Sequence, residues 1–160
     1  MLNVFIEQLK ELYGPYVEKT VQLLCTIIQD HPNDDVKEEA CKCLPNLISA
    51  IKISNQPVAI QLARHFMSTL VTTIEREFDT DIMIVELETL KSVIEELDLC
   101  FLAQEEVKAF SEKMLNLLKL SDEKKTTSKN IAQDEDVDEE EKEIIGEEIK
   151  QEEEVQVAIS

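Results

Sequence analysis

The residues best placed to do chemistry lie late in the chain, where Asp134-x-Asp136-x-Asp138 has the alternate spacing with which a loop wraps an oxygen-seeking cation. A twelve-residue calcium loop opening at Asp134 needs glycine at its sixth position and a bidentate carboxylate at its twelfth, and the chain has Glu139 and Ile145 there. The run therefore predicts diffuse attraction of cations and no EF-hand. General acid or base work needs a rigid, desolvated carboxyl, which a run of this composition does not offer. Cys25, Cys41, Cys43 and Cys100 are too scattered for a zinc framework. On a helix, Cys41 and Cys43 would point about 200° apart around the axis. They read as small apolar residues in reduced helices. His31, beside Pro32, and His65, beside Phe66, have no nucleophile or carboxylate constellation in sequence. No Gly-rich phosphate loop occurs either. The expectation is a protein that is not an enzyme, with no catalytic, cofactor-binding or metal-binding residues and no cofactor.

The charge carries more information. Against 16 Lys and Arg stand 35 Asp and Glu, a formal net charge of −19. That balance disfavours nucleic acid and anionic membrane as direct partners and favours a basic one. Residues 1–121 contribute 20 acids and 11 bases, and residues 122–160 contribute 15 and 5, so both parts carry a negative field. No apolar run reaches the roughly 18 residues of a membrane span, and residues 1–9 lack a basic leader. A soluble cytoplasmic or nuclear protein is the expectation.

Two Gly, four Pro and 4% aromatic residues favour helices throughout. Leu2, Phe5, Ile6, Leu9 and Leu12 recur at three- and four-residue steps before Gly14 and Pro15, which stop one helix and start another. Val17, Val21, Leu24 and Ile28 mark the next stripe, and residues 30–34 the turn after it. Asp35 is the expected N-cap of the following helix, with Glu38 completing a capping box. Val36, Ala40, Leu44, Leu47, Ile48 and Ile51 form its inner face, and Pro45 interrupts it. A second unit starts near Ser54 to Pro57, burying Ala59, Leu62, Ala63, Phe66, Met67, Leu70, Val71 and Ile74. Ile82, Val85, Leu90, Ile94 and Leu97 are the expected stripe of its partner helix. Val107, Phe110, Met114, Leu117 and Leu118 mark one more helix.

Pro15 and Pro57 are 42 residues apart, and Asp35 and Asp81, at the starts of the second helices, are 46 apart. That period lies in the HEAT and armadillo range, where no single unit can bury its own apolar face. The expected fold is an all-α HEAT-repeat α-solenoid of antiparallel helix pairs with a disordered acidic insertion or tail. Residues 1–13 read as the second helix of a preceding repeat, placing the N-terminus inside a longer array. Residues 14–53 and 54–99 read as HEAT repeats, and 100–120 as the first helix of a further one. Residues 121–154, polar and then densely acidic, read as disordered, and 155–160 as the start of a truncated helix. The acidic segment is either a solvated spacer or a polyanionic arm that engages basic protein segments.

The stretch from Leu9 to Glu18, then Asp34-Asp35-Val36-Lys37-Glu38-Glu39-Ala40 and Cys43-Leu44-Pro45-Asn46-Leu47, resembles central HEAT repeats of the importin-β, or karyopherin-β, family of nuclear transport receptors. Residues 133–139 are similar to the opening of an acidic insertion found within a repeat of such receptors. The resemblance implies a segment of a receptor that carries basic cargo proteins through the nuclear pore under Ran-GTP control, shuttling between cytoplasm and nucleus. It implies Ran-GTP and nucleoporins as partners of the full-length receptor. Candidate partner-binding residues are Asp134, Glu135, Asp136, Asp138, Glu139, Glu140 and Glu141 in the acidic segment. On the second helices they are Glu38, Glu39, Glu86, Glu88, Glu95 and Glu96. The alternative is a HEAT-repeat structural scaffold or acidic adaptor in a multi-subunit complex, held by apolar contacts that salt does not weaken.

Overall fold

The computed structural model describes residues 2, 4, 6, 14–77, 79–97, 102–132 and 139–160, excluding the side chains at 14, 15, 54 and 139. The described part is all-helical: α1 (Gly14–Asp30), α2 (Asp34–Ser54), α3 (Gln56–Ile74), α4 (Thr80–Leu97), α5 (Gln104–Ala132) and α6 (Glu139–Ile159). Leu2, Val4 and Ile6 are also helical, and the rest of the expected opening helix lies outside the described residues. None of the described helices is long and apolar enough to cross a membrane.

The chain divides into two compact units. The first comprises residues 1–78 and 85–101, the second 79–84 and 102–160. In the first unit α1 packs on α2 and α3, and α2 on α3. All four expected α1 positions and all eight of α3 are buried, with Phe66 and Leu70 fully enclosed. Side chains of about this size contribute roughly 1.5–3 kcal/mol each on leaving water. On α2 the buried face is Ala40, Cys41, Cys43, Leu44, Leu47, Ile48, Ala50 and Ile51, while Val36 is exposed. Lys52 of α2 donates to the backbone carbonyl of Glu96, tying α4 alongside.

The joints are built by asparagine. Asn33, not Asp35, caps α2: its side chain accepts from the Val36 amide, and Asp34 and Asp35 fall in the first turn, where negative charge suits the helix dipole. Asn55 serves two helices at once. Its amide closes α2 on the Ile51 carbonyl at 2.7 Å, and its side chain opens α3 by accepting from the Val58 amide at 3.3 Å. Pro57 occupies the first turn of α3, where a missing amide proton costs nothing. Pro45 lies inside α2, which continues through it to Ser54.

The second unit corrects the expectation of disorder at residues 121–132 and 139–154, while 133–138 lie outside the described residues. Helix α5 runs past Leu120 to Ala132, and α6 occupies residues 139–159, so residues 155–159 are the last turns of α6. Opposite charge supplies what an isolated acidic run lacks. Lys124 and Lys125 of α5 pair with Glu152 and Glu153 of α6 at 3.4 and 2.9 Å. Ser121 donates to the Glu152 carbonyl, and Ser128 to the Glu148 carboxylate. Partner numbers fall from 152 to 148 as α5 advances from 121 to 128, so the two helices run antiparallel. The apolar contribution is thin. On α5 and α6 the buried residues among those described are Met114, Ser121 and Val155, and Val107, Phe110, Leu117 and Leu118 are only half-buried.

Candidate functional site

The acidic candidates divide into a surface set and one interior residue. Asp134, Glu135, Asp136 and Asp138 lie outside the described residues, and Glu139 is described only as the first residue of α6. Glu140 and Glu141 are exposed in its first turn, the end of a helix that favours carboxylates. On α2, Glu38 and Glu39 share Lys42, at 2.6 and 3.3 Å. On α4, Glu88 and Glu95 are exposed and two turns apart, so they share a face. Glu96 is half-buried, with its carboxylate 3.8 Å from Lys52. Among the described residues no contact gathers these groups into a single pocket. In each unit the described ones, Glu86 apart, are surface or half-buried carboxylates.

Glu86 overturns its expectation. Read as an exposed charge, it is 0% exposed, and neither carboxylate oxygen has a hydrogen-bond partner. The buried positions of α4 are Ile82, Glu86, Leu87, Thr89, Leu90, Val93 and Leu97. Glu86 thus sits on the stripe that begins at Ile82 and returns at Thr89, Leu90 and Val93, while Val85 and Ile94 turn partly outward. Burial is the main force on its carboxyl, pushing it up from 4.5 to about 7, and the Glu77 charge pushes the same way. The Thr73 hydroxyl and Lys37 pull it down less strongly. The Thr73 hydroxyl is committed elsewhere, donating to the carbonyls of Leu70 at 2.9 Å and Thr69 at 3.2 Å, so it leaves Glu86 unsatisfied.

The first unit holds a cleft of about 360 Å³ between the end of α1, the start of α2 and the end of α3. Lys37, Thr73, Arg76 and Glu77 contribute to its wall, with Asp30 and Gln29 from α1. Lys37 bridges two acids there, Glu77 at 3.1 Å and Asp34 at 3.3 Å. Burial lowers the affinity of its ammonium for the proton, but hydrogen bonds with Glu77 and Asp34 outweigh that and raise it above the ordinary lysine value. One turn beyond Lys37, Cys41 is fully buried, and burial together with the Glu86 charge pushes its thiol up to about 12. Such a thiol is inert. Cys25 and Cys43 are also buried, free and raised by burial, and Cys100 lies outside the described residues. Among the described residues no group of three or more His, Cys, Asp or Glu could hold a metal ion.

Neither a family model nor a curated protein matches the chain.

Proposed function

We propose that this chain is a segment of an importin-β-type nuclear transport receptor, a non-catalytic helical array that engages basic segments of cargo. The observation that carries the reading is the pairing of an all-helical fold with exposed carboxylates in each unit, Glu39, Glu88 and Glu95 in the first and Glu140 and Glu141 in the second. The contacts of α1 with α2 and α3, and of α2 with α3, are compatible with a helical repeat array. Ran-GTP and nucleoporins belong to the reading through the resemblance alone, as partners of a longer receptor. Exposed carboxylates attract Lys and Arg over a Debye length of about 8 Å at physiological salt, so the contact is fast and salt-sensitive.

Fluorescence anisotropy of a lysine-rich nuclear localisation peptide on the full chain tests this. The expected affinity falls at least about tenfold between 50 and 300 mM salt, and falls again when Glu140 and Glu141 become lysine. An affinity equal to that of a neutral peptide of the same length would refute it. The scaffold reading draws on Tyr16, Leu23, Ile53 and Val157, which expose 59–75% of their surface. It predicts partner binding that is indifferent to salt and lost on Leu23→Ser.

A further inference from the structure

We propose that Thr127 on α5 is a phosphorylation site for a serine/threonine kinase that reads basic residues, and that the pairing of α5 with α6 withholds it until the hairpin opens. Lys124 and Lys125 are the only two adjacent Lys or Arg residues in the chain, and they stand three and two positions before Thr127 in Lys124-Lys125-Thr126-Thr127-Ser128. A kinase with an acidic peptide groove selects cations at those two places, since each ammonium finds a carboxylate while the hydroxyl reaches the catalytic base. Thr127 itself is exposed. The step is phosphoryl transfer from ATP. The Thr127 Oγ attacks the γ-phosphorus, the bond to the bridging oxygen breaks, ADP leaves with the electron pair, and the hydroxyl proton passes to the kinase's base.

In the closed hairpin both lysines and the hydroxyl are already engaged. Lys124 lies 3.4 Å from the Glu152 carboxylate, and Lys125 lies 2.9 Å from Glu153 and 3.4 Å from the Gln156 side-chain oxygen. The Thr127 hydroxyl donates to the Glu123 carbonyl, one helical turn back, at 2.9 Å. Beside it Ser128 donates to the Glu148 carboxylate at 3.3 Å. A kinase takes its substrate as extended chain, so α5 must unwind around Thr127 and give up these ties. The two lysines cannot serve Glu152 and Glu153 and an acidic groove at once, and α6 therefore competes with the kinase for them. The hairpin is weak enough to lose that competition at times: its described buried side chains on α5 and α6 are Met114, Ser121 and Val155, and its ion pairs are partly exposed. The product holds it open. A phosphate adds about two negative charges toward the C-terminal end of α5, where the helix dipole disfavours an anion. It also stands one turn from Lys124 and draws that ammonium away from Glu152.

Incubation of the full chain with the catalytic subunit of cAMP-dependent protein kinase and magnesium ATP, with the modified residue located by tandem mass spectrometry, tests this. Thr127 is expected to take up phosphate. Glu152→Gln/Glu153→Gln keeps the recognition sequence but loosens both lysines, and should be modified about fivefold faster, the combined effect of two weak ion pairs. Glu154 pairs with Lys150 within α6 at 3.9 Å, so Glu154→Gln removes a charge without touching the ties to α5 and should keep the native rate. The helix signal in circular dichroism should fall when the native chain is phosphorylated and stay level in Thr127→Val treated alike. No phosphate on Thr127 in the native or doubly substituted chain, or phosphate on another hydroxyl in its place, would overturn the proposal. So would equal rates in those two chains, a Glu154→Gln rate matching the double variant, or an unchanged helix signal after phosphorylation.

Discussion

Glu86→Gln should make the protein more stable by an amount that grows with pH. The folded state raises the carboxyl from 4.5 to about 7, so between those values the native chain keeps a proton that the unfolded chain has released. Stability from this group is therefore fully present below pH 4.5, is lost progressively up to pH 7, and is level above. At about 1.4 kcal/mol per pH unit the whole loss is roughly 3 kcal/mol. The sequence pI of about 4.4 makes the acid end unsuitable for solution work, so pH 5.5 to 8 is the useful window. Over it the stability of Glu86→Gln relative to native should rise by about 2 kcal/mol. A buried amide without partners costs about 1–3 kcal/mol, but equally at every pH, so the slope is the clean observable. The other carboxylates are common to both chains and cancel. Urea unfolding followed by circular dichroism at 222 nm gives the two free energies. A difference that stays level from pH 5.5 to 8, or that shrinks, would refute the burial argument.

Four further outcomes follow from the packing. Asn55→Ala should cost about 1 kcal/mol or more, since it strips the cap of α3, and Asn55→Asp should restore most of it in a thermal melt. Phe66→Ala, at a fully buried position, should cost about 3–5 kcal/mol in urea unfolding. In the second unit Lys125 holds the Glu153 carboxyl below its ordinary value, through a hydrogen bond and its charge. Carboxyl carbon NMR of Lys125→Ala should show Glu153 returning toward the usual range. That contact supports the hairpin above the carboxylate range and is lost as pH falls through it. Cys41 should resist alkylation at pH 8 in the native chain and react on addition of urea, because its thiol is both enclosed and raised to about 12.

The helices of the first unit were legible because their apolar residues keep phase with the turn. Val17, Val21, Leu24 and Ile28 of α1 and the eight-residue stripe of α3 are buried as periodicity demands. Helix α4 broke the inference at one place. Periodicity through Ile82 asks for an inward residue at 86, and because glutamate stands there, polarity points instead to Val85 and Ile94 and away from Val93. The available signal was the phase itself, which continues through Glu86 to Thr89, Leu90 and Val93 whatever their polarity. The second unit was hidden for a different reason. Ile145, Ile149, Glu152, Val155 and Ile159 recur at helical steps, but repulsion within α6 argues against a helix when that segment is judged alone. Its counter-charges, Lys124 and Lys125, lie on another helix. The acidic surface was legible as composition, whereas the division between exposed Glu88 and buried Glu86, two residues apart, exists only in the folded chain.

The single-residue joint at Asn55 also bears on how the first unit comes apart. Because one amide ends α2 and the same residue's side chain begins α3, neither helix can fray at that junction without unwinding the other. A protease needs a stretch of slack chain to enter its active site, and this junction offers none. Limited digestion should spare it and act first at a longer connection such as residues 75–77, so that α2 and α3 stay together in one piece.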